Sequence, residues 1–263
     1  MDMFRRENQY DKHIKEKIGE VIFSNIRRET KKPPASEIFL DDYKKRYQTF
    51  FAAYSSILKV YKKTGKRKIA EAQLPLRLEI DQFFNWIREV KAPKDSPEKA
   101  PYRVGEELDR FIKSNTEEYI ISEWEYLTKI AEYNYPVIIK TLGSADSIKN
   151  ATPDKIVNAL MVVHAFYSTL RFHEGGEEQL KADFLRENDI EKIKSTLTYL
   201  LHNEDDDHVT RMGHCIYNPE RKLTYFADSC VQETLGWVNH ENIPICNDRT
   251  LKSIRWLGFK IRL

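Results

Sequence analysis

Residues 43–61 read YKKRYQTFFAAYSSILKVY, and the spacing of their apolar side chains decides the fold class. Aromatic and aliphatic residues recur every three or four positions, at Tyr43, Tyr47, Phe50, Phe51, Tyr54, Ile57, Leu58 and Tyr61. This period places them on one side of an α-helix, in which 3.6 residues make a turn. The stretch therefore predicts an amphipathic helix of about five turns with an aromatic buried side.

The same helical period recurs upstream and downstream of this stretch. Apolar stripes run through residues 14–26 and from Leu76 through Ile80, Phe83, Phe84 and Ile87 to Val90. Thr152-Pro153-Asp154 is a strong helix start, and Thr116 is a possible cap for a helix reaching toward a break or kink at Pro136. No long alternating pattern occurs, and only 9 Gly and 10 Pro are present, so the sequence predicts an all-α, multi-helical fold.

A proline-rich segment, KAPKDSPEKAP at residues 91–101, interrupts the helical pattern. Prolines and charges at this density are typical of a linker or an exposed loop. The sequence therefore predicts a basic N-terminal helical region at residues 1–92. A larger C-terminal helical domain follows at residues 102–263 and ends in a helix-loop-helix.

Several classes of protein are excluded by features that the sequence lacks. The N-terminus has no apolar core of a secretory signal, and no apolar run is long enough to span a membrane. The chain has 3 cysteines and no CxxC, which favours free thiols over a disulfide framework or a zinc finger. P-loop, GxSxG and HExxH motifs are missing. We expect a cytoplasmic protein with no cofactor and no membrane partner.

The net charge of +2 hides a strong asymmetry along the chain. Residues 1–70 carry a net charge of +9, residues 71–245 carry −11, and residues 246–263 carry +4. The densest basic run comprises Lys59, Lys62, Lys63, Lys66, Arg67 and Lys68, shortly after the aromatic helix. Basic charge interleaved with aromatic residues is typical of nucleic-acid binding, although the tyrosines have core spacing and the lysines can instead solvate a helix or meet an acidic surface.

The densest polar cluster is His202-Asn203-Glu204-Asp205-Asp206-Asp207-His208, followed by His214 and Cys215. Carboxylates and imidazoles together can bind a divalent metal, but consecutive acids cannot all point inward from a helix. The favoured interpretation is an acidic loop between helices, with no metal site. A Cys215–His214 nucleophile is disfavoured as well, because adjacent helix residues point about 100° apart.

The last segment of the chain predicts a capped basic helix after an Ile-Pro turn. Asn247 or Asp248 can cap its start, and Gly258 ends it. Arg249, Lys252 and Arg255 recur every three residues, while Leu251, Ile254 and Leu257 must pack against the core. Arginines beside the free amides of a helix start suit a phosphate group.

This order of Ile243-Pro244, a capping Asp248 and a basic helix ending in Leu257-Gly258-Phe259 resembles the last part of the helix-hairpin-helix DNA glycosylases. It also resembles C-terminal segments of bacterial restriction and phage-defence proteins. The resemblance covers about forty residues and implies that Asp248 is a catalytic acid/base. The chain lacks the Gly-x-Gly turn of that family, having YFAD at residues 225–228, and it lacks the cysteine quartet of an iron–sulfur cluster.

Three functional hypotheses follow from these observations. The first is a nucleic-acid-interacting protein, most simply a DNA-binding one, which the resemblance places in a bacterial restriction or antiviral defence system. Its predicted contact residues are Arg249, Lys252, Arg255, Lys62, Lys63, Lys66 and Lys68. The second is a non-enzymatic subunit that assembles with other protein subunits through complementary charged surfaces, among them the acidic middle of the chain. The third is a DNA glycosylase-like enzyme with Asp248 as its catalytic residue.

Overall fold

The computed structural model describes residues 35–92 and 96–261, and these residues form an all-α fold, as the sequence predicts. Within these ranges no β-strand forms, and one isolated bridge joins Leu223 and Phe226. The predicted helix at residues 14–26 lies outside the described residues, as do Arg262 and part of the proline-rich segment.

The first half of the fold is built from helices of very different length. They are α1 (Ala35–Lys63), α2 (Leu76–Trp86), α3 (Ser96–Lys99), α4 (Gly105–Ile121), α5 (Tyr126–Lys129), α6 (Tyr135–Leu142) and α7 (Ala145–Asn150). Two π-helical turns interrupt the series, at Ile87–Lys91 after α2 and at Ile130–Asn134 between α5 and α6.

The second half continues with shorter and more regular helices. They are α8 (Pro153–Leu160), α9 (His164–Tyr167), α10 (Gly176–Glu187), α11 (Ile190–His202), α12 (His208–Tyr217), α13 (Asp228–Val238) and α14 (Asp248–Leu257). A 3-10 turn at Ser168–Phe172 separates α9 from α10.

The aromatic side of α1 is buried, as its spacing predicts, except at Phe51, which is 40% exposed. Tyr43, Tyr47, Tyr54 and Tyr61 are all at most 4% exposed, and the helix packs mainly against α12. Burying aromatic side chains supplies a large share of core stability, because each removes a large apolar area from water. These four tyrosines therefore belong to the core.

Helix α2 crosses the centre of the fold and is buried on nearly every side. Arg77 on α2 donates from Nε to Gly236 O at 2.7 Å and from Nη2 to Trp237 O at 3.0 Å. A cation at these carbonyls complements the negative end of α13. Ser253 on α14 donates to Phe84 O at 2.8 Å, so α2 is joined to both of the last two helices.

Several helix boundaries match the sequence, and one does not. Thr152 caps α8 with Pro153 at its first position, and Gly258 ends α14 with φ +119°. The π-helical turn just before Pro136 accommodates that proline without breaking the helical path. The helix start at Thr116 is wrong, because α4 runs through this buried residue and ends near Ser122.

Residues on both sides of the proline-rich segment contribute to one hydrophobic core. Side chains of α1 and α2 pack with those of α4, α12, α13 and α14 in a single cluster. In the described part of the chain, none of the helices is long and apolar enough to cross a membrane.

Candidate functional site

The start of α14 is capped by Asn247. Its Oδ1 accepts hydrogen bonds from Thr250 N at 2.9 Å and from Thr250 Oγ1 at 3.1 Å, while its Nδ2 donates to Glu233 at 3.2 Å. This arrangement satisfies an otherwise free helical amide. Asp248 is therefore the first residue of the helix and not its cap.

Asp248 lies at the surface, beside a cavity of about 540 Å³. Its carboxylate forms an ion pair with Lys252 Nζ at 2.7 Å, one helical turn later. Tyr43 and Cys246 also line this cavity, and burial raises the pKa of the Cys246 thiol to about 12. The structure thus brings two predicted site residues together, and the acid/base role of Asp248 stays a prediction.

Arg249 points away from Lys252, into the interior. Its Nη2 donates to Asp81 Oδ2 at 2.8 Å and to Asp81 Oδ1 at 3.0 Å. Although burial opposes the charge, Asp81 and Glu233 raise the pKa of Arg249. A phosphate that bound Arg249, as the sequence predicts, would have to compete with the Asp81 carboxylate that already binds the guanidinium.

Arg255 occupies a third environment. It is 7% exposed, and its guanidinium carbon lies 4.1 Å from the centre of the Tyr102 ring, a cation–π contact. The three basic residues predicted to form one phosphate-binding side of α14 consequently engage three different partners, Asp81, Asp248 and Tyr102.

The lysines at the end of α1 have different surroundings. Lys59, Lys62 and Lys63 stand on the exposed side of the last turns, at positions i, i+3 and i+4, and Lys66 is exposed in the loop that follows. Within residues 35–92 and 96–261, none of these four side chains forms an ion pair. We call these four residues the lysine surface.

Lys68, two residues further on, folds back onto the protein. Its Nζ contacts Ser122 O and lies 5.3 Å from the centre of the Tyr119 ring. Burial lowers the pKa of Lys68. Lys68 is therefore not part of the lysine surface, although the sequence predicts it as a contact residue together with Lys62, Lys63 and Lys66.

Glu79 on α2 fixes the loop that carries Lys66, a role that the sequence analysis does not predict. This fully buried carboxylate accepts from Tyr61 Oη at 2.6 Å, from Lys68 N at 2.9 Å and from Arg67 Nε at 3.0 Å. The sequence contains a signal of its burial, because Glu79 falls on the apolar stripe of α2, three residues after Leu76. A carboxylate at a core position requires such partners.

A second cavity, of about 600 Å³, lies between α2, α5, both π-helical turns, α8, α9, α10, α13 and α14. Four carboxylates and two basic side chains line it, so its wall has an excess of negative charge. The carboxylates are Asp81, Glu89, Glu177 and Glu233, and the basic residues are Lys129 and Arg249. We call it the acidic cavity.

Glu233 is the most deeply buried carboxylate of the acidic cavity. It accepts from the backbone amides of His164 at 2.8 Å and Ala165 at 3.1 Å, at the start of α9, and from Asn247 Nδ2 at 3.2 Å. Burial raises the pKa of Glu233, and Arg249 acts in the opposite direction. Glu233 and Asp81 thus share one guanidinium as their positive neighbour.

The cluster at residues 202–208 is used for local structure. Asp207 caps α12 by accepting from Val209 N at 2.9 Å and Thr210 N at 3.1 Å. Tyr199 Oη bonds to Asp206 and to His214 Nδ1, both at 2.6 Å. Among the described residues, no group of three or more His, Cys, Asp or Glu side chains has a metal-binding arrangement.

The three cysteines are buried free thiols. Burial raises the pKa of Cys215 to about 12, so its thiolate form is disfavoured at neutral pH. The ring of the adjacent His214 is held by Tyr199, and no pairing of thiol and imidazole forms between them.

Comparisons with protein-family models, with curated proteins and with solved structures return no match.

Proposed function

We propose that this protein interacts with nucleic acid through the lysine surface. The observation that carries the proposal is the exposure of Lys59, Lys62, Lys63 and Lys66 without a carboxylate partner in the described ranges. Unpaired cations on one surface release counterions when they meet phosphates, which favours binding.

The chemistry favours contact with the sugar-phosphate backbone over recognition of bases. The tyrosines interleaved with the basic run are buried, so they offer no ring on which a base can stack. Lysine is a flexible point charge that contacts phosphates without reading sequence. Binding is consequently expected to be weakly sequence-dependent and strongly salt-dependent.

One structural explanation accounts for part of the lysine surface. Lys62 and Lys63 lie in the last turn of α1, where cations complement the helix dipole. Lys59 and Lys66 lie outside that turn, and the dipole does not require them. The alternative partner is an acidic protein surface, in keeping with the net charge of −11 over residues 71–245.

The test is a fluorescence-anisotropy titration of double-stranded DNA, single-stranded DNA and RNA at several salt concentrations. For duplex DNA, each lost phosphate contact lowers the slope of log K against log salt by about 0.9. We expect Lys62→Ala/Lys63→Ala/Lys66→Ala to weaken binding and to flatten this slope.

The matched control removes three exposed lysines from the acidic middle of the chain, Lys140→Ala/Lys149→Ala/Lys155→Ala. The control has the same net charge as the test variant, so it separates a local contact from a general effect of charge. Equal weakening by both variants, or no binding by the unmodified chain at low salt, would overturn the proposal. Membership in a restriction or antiviral defence system stays a prediction from the resemblance.

A further inference from the structure

A third cavity, of about 530 Å³, lies between α7 and α11 and is bordered by Arg221, in the turn that follows α12. Its volume lies within the range of small-molecule sites. Nearly all of its lining side chains are charged or polar, and Ala145 is the one aliphatic side chain among the lining residues that the structure describes. A wall of this kind suits a small polar ligand. We call this space the Arg221 cavity.

The half-buried guanidinium of Arg221 has a fixed position and no polar partner. Its central carbon lies 3.6 Å from the centre of the Tyr199 ring, a cation–π contact. The ring is itself held, because Tyr199 Oη bonds to Asp206 and to His214. In residues 35–92 and 96–261, no group forms a hydrogen bond or an ion pair with this guanidinium. Since a guanidinium that rests on a ring keeps the N–H groups of its edge free, these donors are oriented for a ligand.

Two lysines bring further positive charge to the Arg221 cavity. Lys149 is exposed on α7, and Lys194 on α11 donates from Nζ to Lys149 O at 2.9 Å. Within the described part of the chain, neither lysine forms an ion pair with a carboxylate. Three cations without a carboxylate partner thus surround one cavity, although residues 71–245 carry a net charge of −11.

The two carboxylates that line the Arg221 cavity have a structural role of their own. Asp146 and Glu191 lie in the first turns of α7 and α11, where an acidic side chain complements the helix dipole. Three cations against these two carboxylates leave the wall with a net charge of +1. His202 adds no charge at neutral pH, because burial lowers its pKa. The wall therefore favours an anion, which the unpaired guanidinium of Arg221 can bind.

We propose that the Arg221 cavity binds a phosphorylated sugar. The phosphate monoester meets Arg221, Lys149 and Lys194, because a guanidinium donates two parallel hydrogen bonds to phosphate oxygens and the ammonium groups add positive charge. The sugar hydroxyls meet Ser195 and Thr198, whose side chains both donate and accept hydrogen bonds. A monoester carries a charge of about −1.5 to −2 at neutral pH. Each phosphate of a nucleic-acid strand carries one charge, so this ligand class differs from that of the lysine surface.

The experiment is isothermal titration calorimetry of the full chain, in a buffer free of phosphate and sulfate, with glucose 1-phosphate as the probe. This sugar phosphate has no free aldehyde, so it cannot form a Schiff base with a lysine. Methyl glucoside lacks the phosphate, and inorganic phosphate lacks the sugar. We expect glucose 1-phosphate to bind with a dissociation constant of about 1 mM or lower, inorganic phosphate to bind more weakly, and methyl glucoside not to bind measurably.

The variant Lys194→Gln/Arg221→Gln tests the location. We expect it to weaken glucose 1-phosphate binding about tenfold or more, because it removes two charged hydrogen-bond donors. The matched control, Lys192→Gln/Lys222→Gln, makes the same change of charge on the same two segments at residues outside the cavity lining, and it should bind as the unmodified chain does. Circular dichroism checks the fold of each variant. If the first variant unfolds, Lys149→Gln on the exposed side of α7 tests the phosphate contact, with an expected weakening of about threefold.

Three outcomes would overturn the assignment: no heat from glucose 1-phosphate, equal binding of methyl glucoside, or equal weakening by the two double variants. Equal affinity for inorganic phosphate would overturn the contacts to the sugar. A single-stranded oligonucleotide serves as a further arm, and weaker binding of it to Lys194→Gln/Arg221→Gln than to the control would replace the sugar phosphate with a nucleic-acid strand. Nucleic-acid binding by the lysine surface is measured with its own variants, so either proposal can fail without the other.

Discussion

Removing the Asp81 carboxylate is expected to destabilise the fold strongly. Asp81 is 3% exposed and accepts both hydrogen bonds that Arg249 Nη2 donates, at 2.8 and 3.0 Å. Breaking a buried ion pair from one side leaves an uncompensated charge and costs about 3–5 kcal/mol. Domains of ordinary stability unfold with about 5–15 kcal/mol, so Asp81→Ala removes a large fraction of the total.

The assay is urea unfolding followed by circular dichroism. With a slope of about 3 kcal/mol per molar urea, the expected loss lowers the midpoint by about 1–1.7 M. The matched control is Asp42→Ala, because Asp42 forms an exposed pair with Arg46 at 3.0 Å, and exposed pairs contribute about 0–1 kcal/mol.

A triple variant separates the charges from the position. Because Glu233 shares the Arg249 guanidinium with Asp81, the variant Asp81→Leu/Glu233→Gln/Arg249→Met removes all three charges together, a change that is often neutral or stabilising when the charges are buried. We expect its urea midpoint to lie well above that of Asp81→Ala. The expected role of the ion pair is wrong if Asp81→Ala shifts the midpoint no more than Asp42→Ala does, or if the triple variant is no more stable than Asp81→Ala.

Three further predictions concern pH, packing and thiol reactivity. Burial lowers the pKa of His208 in the folded chain, so this residue takes up a proton in the unfolded chain first, near pH about 6.5. The urea concentration at the unfolding midpoint should therefore decrease as the pH falls below about 6.5, and it should decrease less in His208→Asn. In Gly236→Ala the new Cβ would lie 2.8 Å from the backbone Cα of Ile245, so we expect a loss of about 1–3 kcal/mol by urea unfolding, against no loss in Ser55→Ala. Burial raises the pKa of each cysteine thiol to about 12, so all three should resist a thiol-specific reagent in the folded chain and react with it in urea. Rapid labelling of the folded chain would contradict their burial.

Local patterns in the sequence predict the helices well, because their causes are local. The 3.6-residue period of α1 and the Thr152-Pro153 start depend on neighbouring residues only, and both are confirmed. The boundary at Thr116 is wrong because a threonine can cap a helix or be buried within one, and the core around α4 decides between these roles.

The partners of charged residues depend on tertiary contacts that no local pattern contains. Arg249 and Asp81 are 168 positions apart, so their spacing in the sequence gives no sign of the ion pair. The regular recurrence of Arg249, Lys252 and Arg255 suggested a shared surface, yet each finds a different partner. Glu79, a carboxylate at a position of the apolar stripe, does carry a local signal of burial.

Helix α2 links the two candidate sites through residues only two positions apart. Glu79 holds the loop that carries Lys66, while Asp81 forms part of the acidic cavity. Residues i and i+2 point about 200° apart on a helix, so the two carboxylates face opposite sides of α2. Because Glu79 anchors this loop, Lys66 would lose less conformational entropy on contacting a phosphate, as we propose, than a lysine of a free basic tail would.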